Sequence, residues 1–197
     1  MTSADLMPPE SEWPTFASDW RMSREALGAI ASLLCDRRPK SILETGPGLS
    51  SWLFFRYAEQ TGAAYVIIDH EGEYHDRWRA WCAKCRFRDQ CARARPLSED
   101  GYYDLAGVAV PVCDFICLDG PIVSAARSGE AARCLLRAAC DPAGAVIIVD
   151  DANRGGESAL VAWLLESGFA LTAEVADGTF PHRKTAILEG AFNRCLT

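Results

Sequence analysis

Short apolar runs alternate with stretches of helical periodicity from residue 41 to residue 189, and few folds accommodate that alternation. The runs are SILE (41–44), AYVIID (64–69), a weaker QCARA (90–94), DFICLD (114–119), AVIIVD (145–150), ALTAEV (170–175) and KTAILE (184–189). Between them the spacing predicts helices at about 50–61, 73–87, 128–140 and 156–167. An earlier helix opens near Ser23, with Leu27, Ile30, Ala31 and Leu34 on one face, and Pro39 closes it. Several runs are apolar at successive positions, the pattern of strands covered on both faces. The expectation is a doubly wound α/β fold, a mostly parallel sheet with helices on both faces.

A chain of 197 residues is about one domain's worth. Residues 20–197 are expected to form it, preceded by an arm at 1–19 that carries Pro8, Pro9 and Pro14. Trp13, Phe16 and Trp20 in and beside that arm are many aromatics for a solvated tail, so the arm is expected to be flexible or to fold over the site. Acidic side chains outnumber basic ones, 27 to 20, for a net charge of −7, which favours small-molecule chemistry over binding to a phosphate backbone. Residues 1–10 lack the basic head and apolar stretch of a secretory signal, and no apolar run reaches membrane length. With nine cysteines, of which Cys35, Cys113, Cys117, Cys134 and Cys140 read as small core residues, a reducing cytoplasm is expected.

Segment 41–51, SILETGPGLSS, runs from a strand through Gly46 and Gly48 into a helix. Glycines there permit a tight turn and close backbone approach, and the helix start offers free N–H groups. About 20 residues later the next strand ends in Asp69, where a nucleotide fold places its ribose-binding acid. Ser51 stands where a dinucleotide fingerprint has its third glycine. A nucleotide-like cofactor is therefore expected.

With Glu44 preceding the turn, the chain resembles the class I methyltransferases that use S-adenosylmethionine, over about residues 20–189. LETGPGLSS resembles the family's cofactor turn, VIIDHE its ribose-binding strand end, FICLDGP its fourth-strand motif and VIIVDDANR its fifth. The resemblance implies a Rossmann-like sheet of seven strands whose last two form an antiparallel end. It also implies that Glu44, Gly46, Pro47, Gly48 and Ser50 face the methionine part, with Asp69 at the ribose and His70 and Glu71 beside the adenosine. Leu97 or Ser98 would approach the adenine, and Asp119 and Gly120 complete the cofactor set.

Asp119, Asp150 and Asp151 end neighbouring strands. Two carboxylates about 4 Å apart repel by roughly 4 kcal/mol at an effective dielectric near 20, so such a cluster calls for a cation, a proton or an arginine. The arrangement is similar to the metal-dependent catechol-type O-methyltransferases, which implies Mg²⁺ or another divalent cation on Asp119, Asp150 and Asp151. Two residues depart from that pattern: no lysine base follows Asp119, where Arg127 stands instead, and Arg154 is near enough to neutralise the cluster itself. Asp119, Asp151, Arg154 and His182, the last in GTFPHRKT, are the candidate catalytic residues. Arg127 and Arg154 suit an anionic acceptor, and the acidic cluster a hydroxylated one.

The stretch HDRWRAWCAKCRFRDQCARAR (75–95) supports two further readings. His75, Cys82, Cys85 and Cys91 are candidate zinc ligands, although CxxC inside a helix is more often a pair of packed thiols. Arg77, Arg79, Lys84, Arg86, Arg88, Arg93 and Arg95 among aromatics suggest RNA binding, set against the missing binding module. The expected activity is methyl transfer to a small molecule, at oxygen. The alternatives are a nucleic-acid or protein methyltransferase and a non-catalytic protein that keeps the fold; the sequence is equally compatible with a homo-oligomer.

Overall fold

The computed structural model describes residues 1–13, 22–70, 72–87, 92–121, 123–180 and 182–192. Phe16, Trp20, Glu71, Arg88 and Cys91 lie outside these. Strands β1 (Ser41–Thr45), β2 (Ala64–His70), β3 (Ala92–Arg95), β4 (Phe115–Leu118), β5 (Ala145–Val149), β6 (Phe169–Ala176) and β7 (Lys184–Gly190) form one sheet in the order β3-β2-β1-β4-β5-β7-β6. Pairing is parallel from β3 to β5 and antiparallel where β7 joins β5 and β6. Every residue of β4 and β5 is buried, as their unbroken apolar runs require of strands covered on both faces.

The helices are α1 (Ser3–Leu6), α2 (Arg24–Arg37), α3 (Ser50–Thr61), α4 (Glu73–Lys84), α5 (Glu130–Ala139) and α6 (Gly155–Glu166). Ser23 caps α2 by accepting the Ala26 amide at 3.1 Å, and Arg38 ends it in the left-handed region. One hydrophobic cluster joins the inner faces of α2, α3 and α4 to the sheet, and a second joins α5, α6 and the segment after β3 to the opposite face. Residues 1–13 belong to the first: Leu6 is fully buried, and the Trp81 indole donates to the Glu12 carbonyl at 2.8 Å. At the amino edge of the sheet, Asp114 accepts the amides of Lys40 and Ser41, tying the start of β1 to that of β4. Cys134 departs from expectation. It is exposed, because the apolar stripe of α5 runs through Ala132, Leu135, Leu136 and Ala139 and leaves residue 134 outside.

The sheet order reverses between β1 and β4, so their crossovers leave toward opposite sides and a crevice opens at their carboxyl ends. Arg127 holds the rim of that crevice from behind. Its Nε donates to the Pro121 carbonyl at 2.5 Å and its Nη2 to the Asp119 carbonyl at 2.9 Å, while Nη1 sits 2.8 Å from Glu157 Oε1 in the first turn of α6. The two side chains are only 7% and 1% exposed. Removing one partner of such a buried pair is costly because the other charge stays desolvated. Arg127→Met is expected to lower stability by about 3 kcal/mol in urea titration, and adding Glu157→Leu should restore most of it.

Candidate functional site

The carboxyl ends of β1, β2, β4 and β5 surround a cavity of about 300 Å³, within the range of small-molecule sites. Its wall includes Gly46, Pro47, Asp69, His70, Asp119 and Gly120, with the acidic and arginine residues discussed below at one end. The parallel ladder continues into this edge: the Gly46 amide donates to the Ile68 carbonyl at 3.1 Å, Asp119 to Thr45 at 2.9 Å and Asp150 to Leu118 at 3.0 Å. The backbones of the acidic residues are thus set by the sheet itself.

Gly46 and Gly120 meet at the floor. Gly46 has φ +69°, and a Cβ there would lie 2.6 Å from the Gly120 nitrogen. A Cβ on Gly120 would lie 2.7 Å from the Gly46 Cα and 2.1 Å from the Tyr103 phenolic oxygen. Only glycine fits either position.

Glu44 is fully buried beneath the turn and does not line the cavity. Its carboxylate accepts hydrogen bonds from Ser50 Oγ (2.5 Å), Ser51 Oγ (2.7 Å) and the Tyr65 hydroxyl, and Ser51 Oγ accepts the Gly48 amide at 3.2 Å. One side chain therefore binds β1, β2 and the start of α3 together. Gly48 and Ser50 are likewise turned into this network and do not line the cavity.

Asp69 is buried, with Oδ1 accepting the His70 amide at 2.9 Å and Oδ2 lying 2.8 Å from His75 Nδ1. That pairing accounts for His75, the first of the candidate zinc ligands. Cys82 is buried in the core and Cys85 faces Glu12, so among the described residues these side chains do not converge on a metal.

The carboxylates of Asp119, Asp150 and Asp151 offer oxygens within 4.8 Å of one another. Burial, reinforced by Asp150, pushes the Asp119 carboxyl well above the usual range. Burial also raises Asp150 to about 6, against the hydrogen bond it accepts from Thr185 Oγ1 at 2.5 Å. Asp151 takes φ +51° and pairs with Arg154 at 2.8 Å, whereas Arg127 stays 4.0 Å from Asp119. An all-oxygen set of mutually repelling carboxylates fits a hard divalent cation.

Besides Glu44, Gly48 and Ser50, three more expected site residues, His182, Leu97 and Ser98, do not line the cavity. His182 is exposed and does not line the cavity, because the turn before β7 sends it outward and brings Arg183 to the wall instead. Leu97 and Ser98 are held in a small hairpin after β3, where Ser98 Oγ donates to the Tyr102 carbonyl at 2.8 Å. Arg127 lines the cavity, but its Nε and Nη2 are bonded to backbone carbonyls and its Nη1 faces the Glu157 carboxylate. Conversely, Tyr74, Tyr103 and Arg183 line the cavity although nothing in their local spacing marked them. The adjacent tyrosines 102 and 103 beside an acidic turn were the available signal.

No family model and no curated protein matches the chain by sequence. Solved structures match it closely in shape. An O-methyltransferase from Bacillus cereus in complex with S-adenosylhomocysteine superposes with a TM-score of 0.67 at 17% identity, over 96% of this chain and 97% of that one. The chain shares the fold of that O-methyltransferase. The O-methyltransferase TomG from Streptomyces achromogenes, involved in tomaymycin synthesis and in complex with S-adenosylmethionine, gives 0.63 at 18% identity, over 98% and 97% of the two chains. A tRNA methyltransferase from B. subtilis gives 0.51 at 14% identity, over 90% of this chain and 70% of its own. At such identities the likeness is one of fold, and this fold serves more than one acceptor.

Glu44 carries a pH test. Burial raises its carboxyl from 4.5 to about 7 despite the three hydroxyl donors. The folded state then holds this proton more tightly than the unfolded chain, so its stabilising effect is full below about pH 4.5 and is lost as pH rises through about 7. The difference is on the order of 3 kcal/mol. Thermal melts of Glu44→Gln across this range are expected to show a shallower decline than the wild type.

Proposed function

We propose that this chain is a methyltransferase that uses S-adenosylmethionine and acts on a small molecule, at oxygen. The observation that carries the reading is the joint geometry of the crevice: the glycine contact at its floor, Asp69 on one side and three carboxylates on the other. When bound, the cofactor supplies a sulfonium methyl group that an acceptor takes by in-line displacement. The similarity to solved S-adenosylmethionine and S-adenosylhomocysteine complexes supports this assignment of the cavity.

In this reading Gly46 and Gly120 present bare backbone to the cofactor, beside the Pro47 ring, and their close contact leaves no room for a Cβ on either. Asp69 is held in place by His75 and the His70 amide, leaving lone pairs for the ribose hydroxyls. Much of the rate acceleration can come from holding acceptor and methyl group in line. An acceptor hydroxyl must also lose its proton. With no cation on it, Asp119, at the cavity wall and raised by burial and by Asp150, takes up that proton at an Oδ atom.

Asp119, Asp150 and Asp151 would hold a divalent cation, which would lower the pKa of an acceptor hydroxyl. Arg154 and Arg183 at the cavity wall favour an acceptor that carries a negative charge.

Isothermal calorimetry of the purified protein with S-adenosylhomocysteine is expected to show saturable binding at one site. Asp69→Ala should weaken it at least tenfold, and no binding to the wild type overturns the reading. The metal is tested by itself: Mn²⁺ is expected to bind the wild type and to be lost in Asp150→Asn. Equal Mn²⁺ titrations for the two proteins remove the cation and leave Asp119 as the proton acceptor.

A further inference from the structure

Tyr103 lies in the crossover from β3 to β4, where residues 96–104 form a hairpin instead of a helix. The Ser98 amide donates to the Tyr102 carbonyl at 2.7 Å, Gly101 to Ser98 at 2.9 Å and Asp104 to Pro96 at 2.9 Å, while Leu97 and Tyr103 pair as an antiparallel bridge. The Tyr103 ring packs edge-on against Tyr102, with centroids 5.0 Å apart. Backbone and ring are both fixed, so the direction of the hydroxyl is set without any ligand.

That hydroxyl reaches the glycine contact at the cavity floor, close enough that any Cβ on Gly120 would collide with it. Tyr103 is only 2% exposed, and among the described residues its hydroxyl has no hydrogen-bond partner. His70 Nδ1 on the same wall makes no hydrogen bond among the described residues either, and its contact is Asp69 Oδ1 at 3.4 Å. An unpaired buried hydroxyl costs about 1–3 kcal/mol, and native structures keep few. Trp78, Arg95 and Arg133 also carry buried nitrogens without a hydrogen bond but do not line the cavity, and Arg127 Nη1, on its wall, is met by the Glu157 carboxylate at 2.8 Å. Burial, with Asp69 the next contribution, raises the phenol pKa well above 10, so Tyr103 is a neutral O–H donor.

We infer that the Tyr103 hydroxyl positions the cofactor by donating a hydrogen bond to one of its acceptor atoms, between Asp69 and the Gly46–Gly120 contact. This inference rests on the methyltransferase reading. It assigns a purpose to a hydroxyl that the fold buries at a cost, and it explains why residue 120 has no side chain: Gly120 leaves room for this oxygen.

The test is Tyr103→Phe, which removes one oxygen and no protein hydrogen bond. Without ligand, its thermal midpoint is expected to equal or exceed that of the wild type, since an unsatisfied group has been deleted. Its affinity for S-adenosylhomocysteine, measured by calorimetry, is expected to fall about 5- to 30-fold. Parallel titration with adenosine locates the acceptor: weakening of both ligands places it on the nucleoside, and weakening of S-adenosylhomocysteine alone places it on the amino-acid part. Unchanged affinity in Tyr103→Phe beside a wild type that binds overturns this inference and leaves the methyltransferase reading standing. A wild type that does not bind overturns both. A ligand-free midpoint several degrees lower would mean that the hydroxyl already has a partner in the protein, and would also overturn the inference.

Discussion

The site depends on two backbones that touch. Gly46, at the end of β1, and Gly120, at the end of β4, approach so closely that neither tolerates a Cβ. These strands lie on the two sides of the topological switch, so the contact forms where the sheet leaves its edge uncovered by crossovers. Bare peptide then lines the floor, and side chains from β2, β5 and the β3–β4 hairpin supply the walls. Two buried ionic devices keep the contact in register. Glu44 draws β1, β2 and α3 together from one side, and the Arg127–Glu157 pair fastens the loop after β4 to α6 from the other.

Both devices place charge where the dielectric is low, and the consequences differ. The Arg127–Glu157 pair is internally compensated, although Arg127 also lines the cavity. Burial raises the proton affinity of Glu44 against the pull of its three hydroxyl donors, and the stability of the turn becomes sensitive to pH. Asp119 and Asp150 are raised by the same desolvation but face the cavity, where a proton, a cation or an acceptor can relieve it. Equal chemistry at the ends of β1, β4 and β5 is thereby divided between scaffold and site by which side of the turn each carboxylate faces.

Much of the fold was legible before the structure. The runs at 41–44, 64–69, 114–119 and 145–150 correspond to β1, β2, β4 and β5 within a residue or two, because parallel strands buried on both faces leave an unmistakable apolar record. Three of the strand-end acids, Asp119, Asp150 and Asp151, do converge, since their strands are neighbours and each chain leaves the sheet at the same edge. His182, Leu97 and Ser98 stand off the cavity wall for a shared reason. They sit in turns, where a rotation of one residue exchanges the inward and outward side chain, and sequence spacing carries no record of that rotation.

The sequence by itself determined the layered α/β architecture, the glycine turn and the row of acidic strand ends, because periodicity and glycine placement act locally. Only the tertiary structure decided what each polar group does. It turned Glu44 inward against Ser50, Ser51 and Tyr65, and it paired Asp69 with His75. It used up Arg127 behind the rim and brought Tyr103 from a hairpin across the sheet to Gly120. The reason is physical: the role of a polar side chain is set by whether it is desolvated and by what meets it there, and those partners come from segments far apart in the chain.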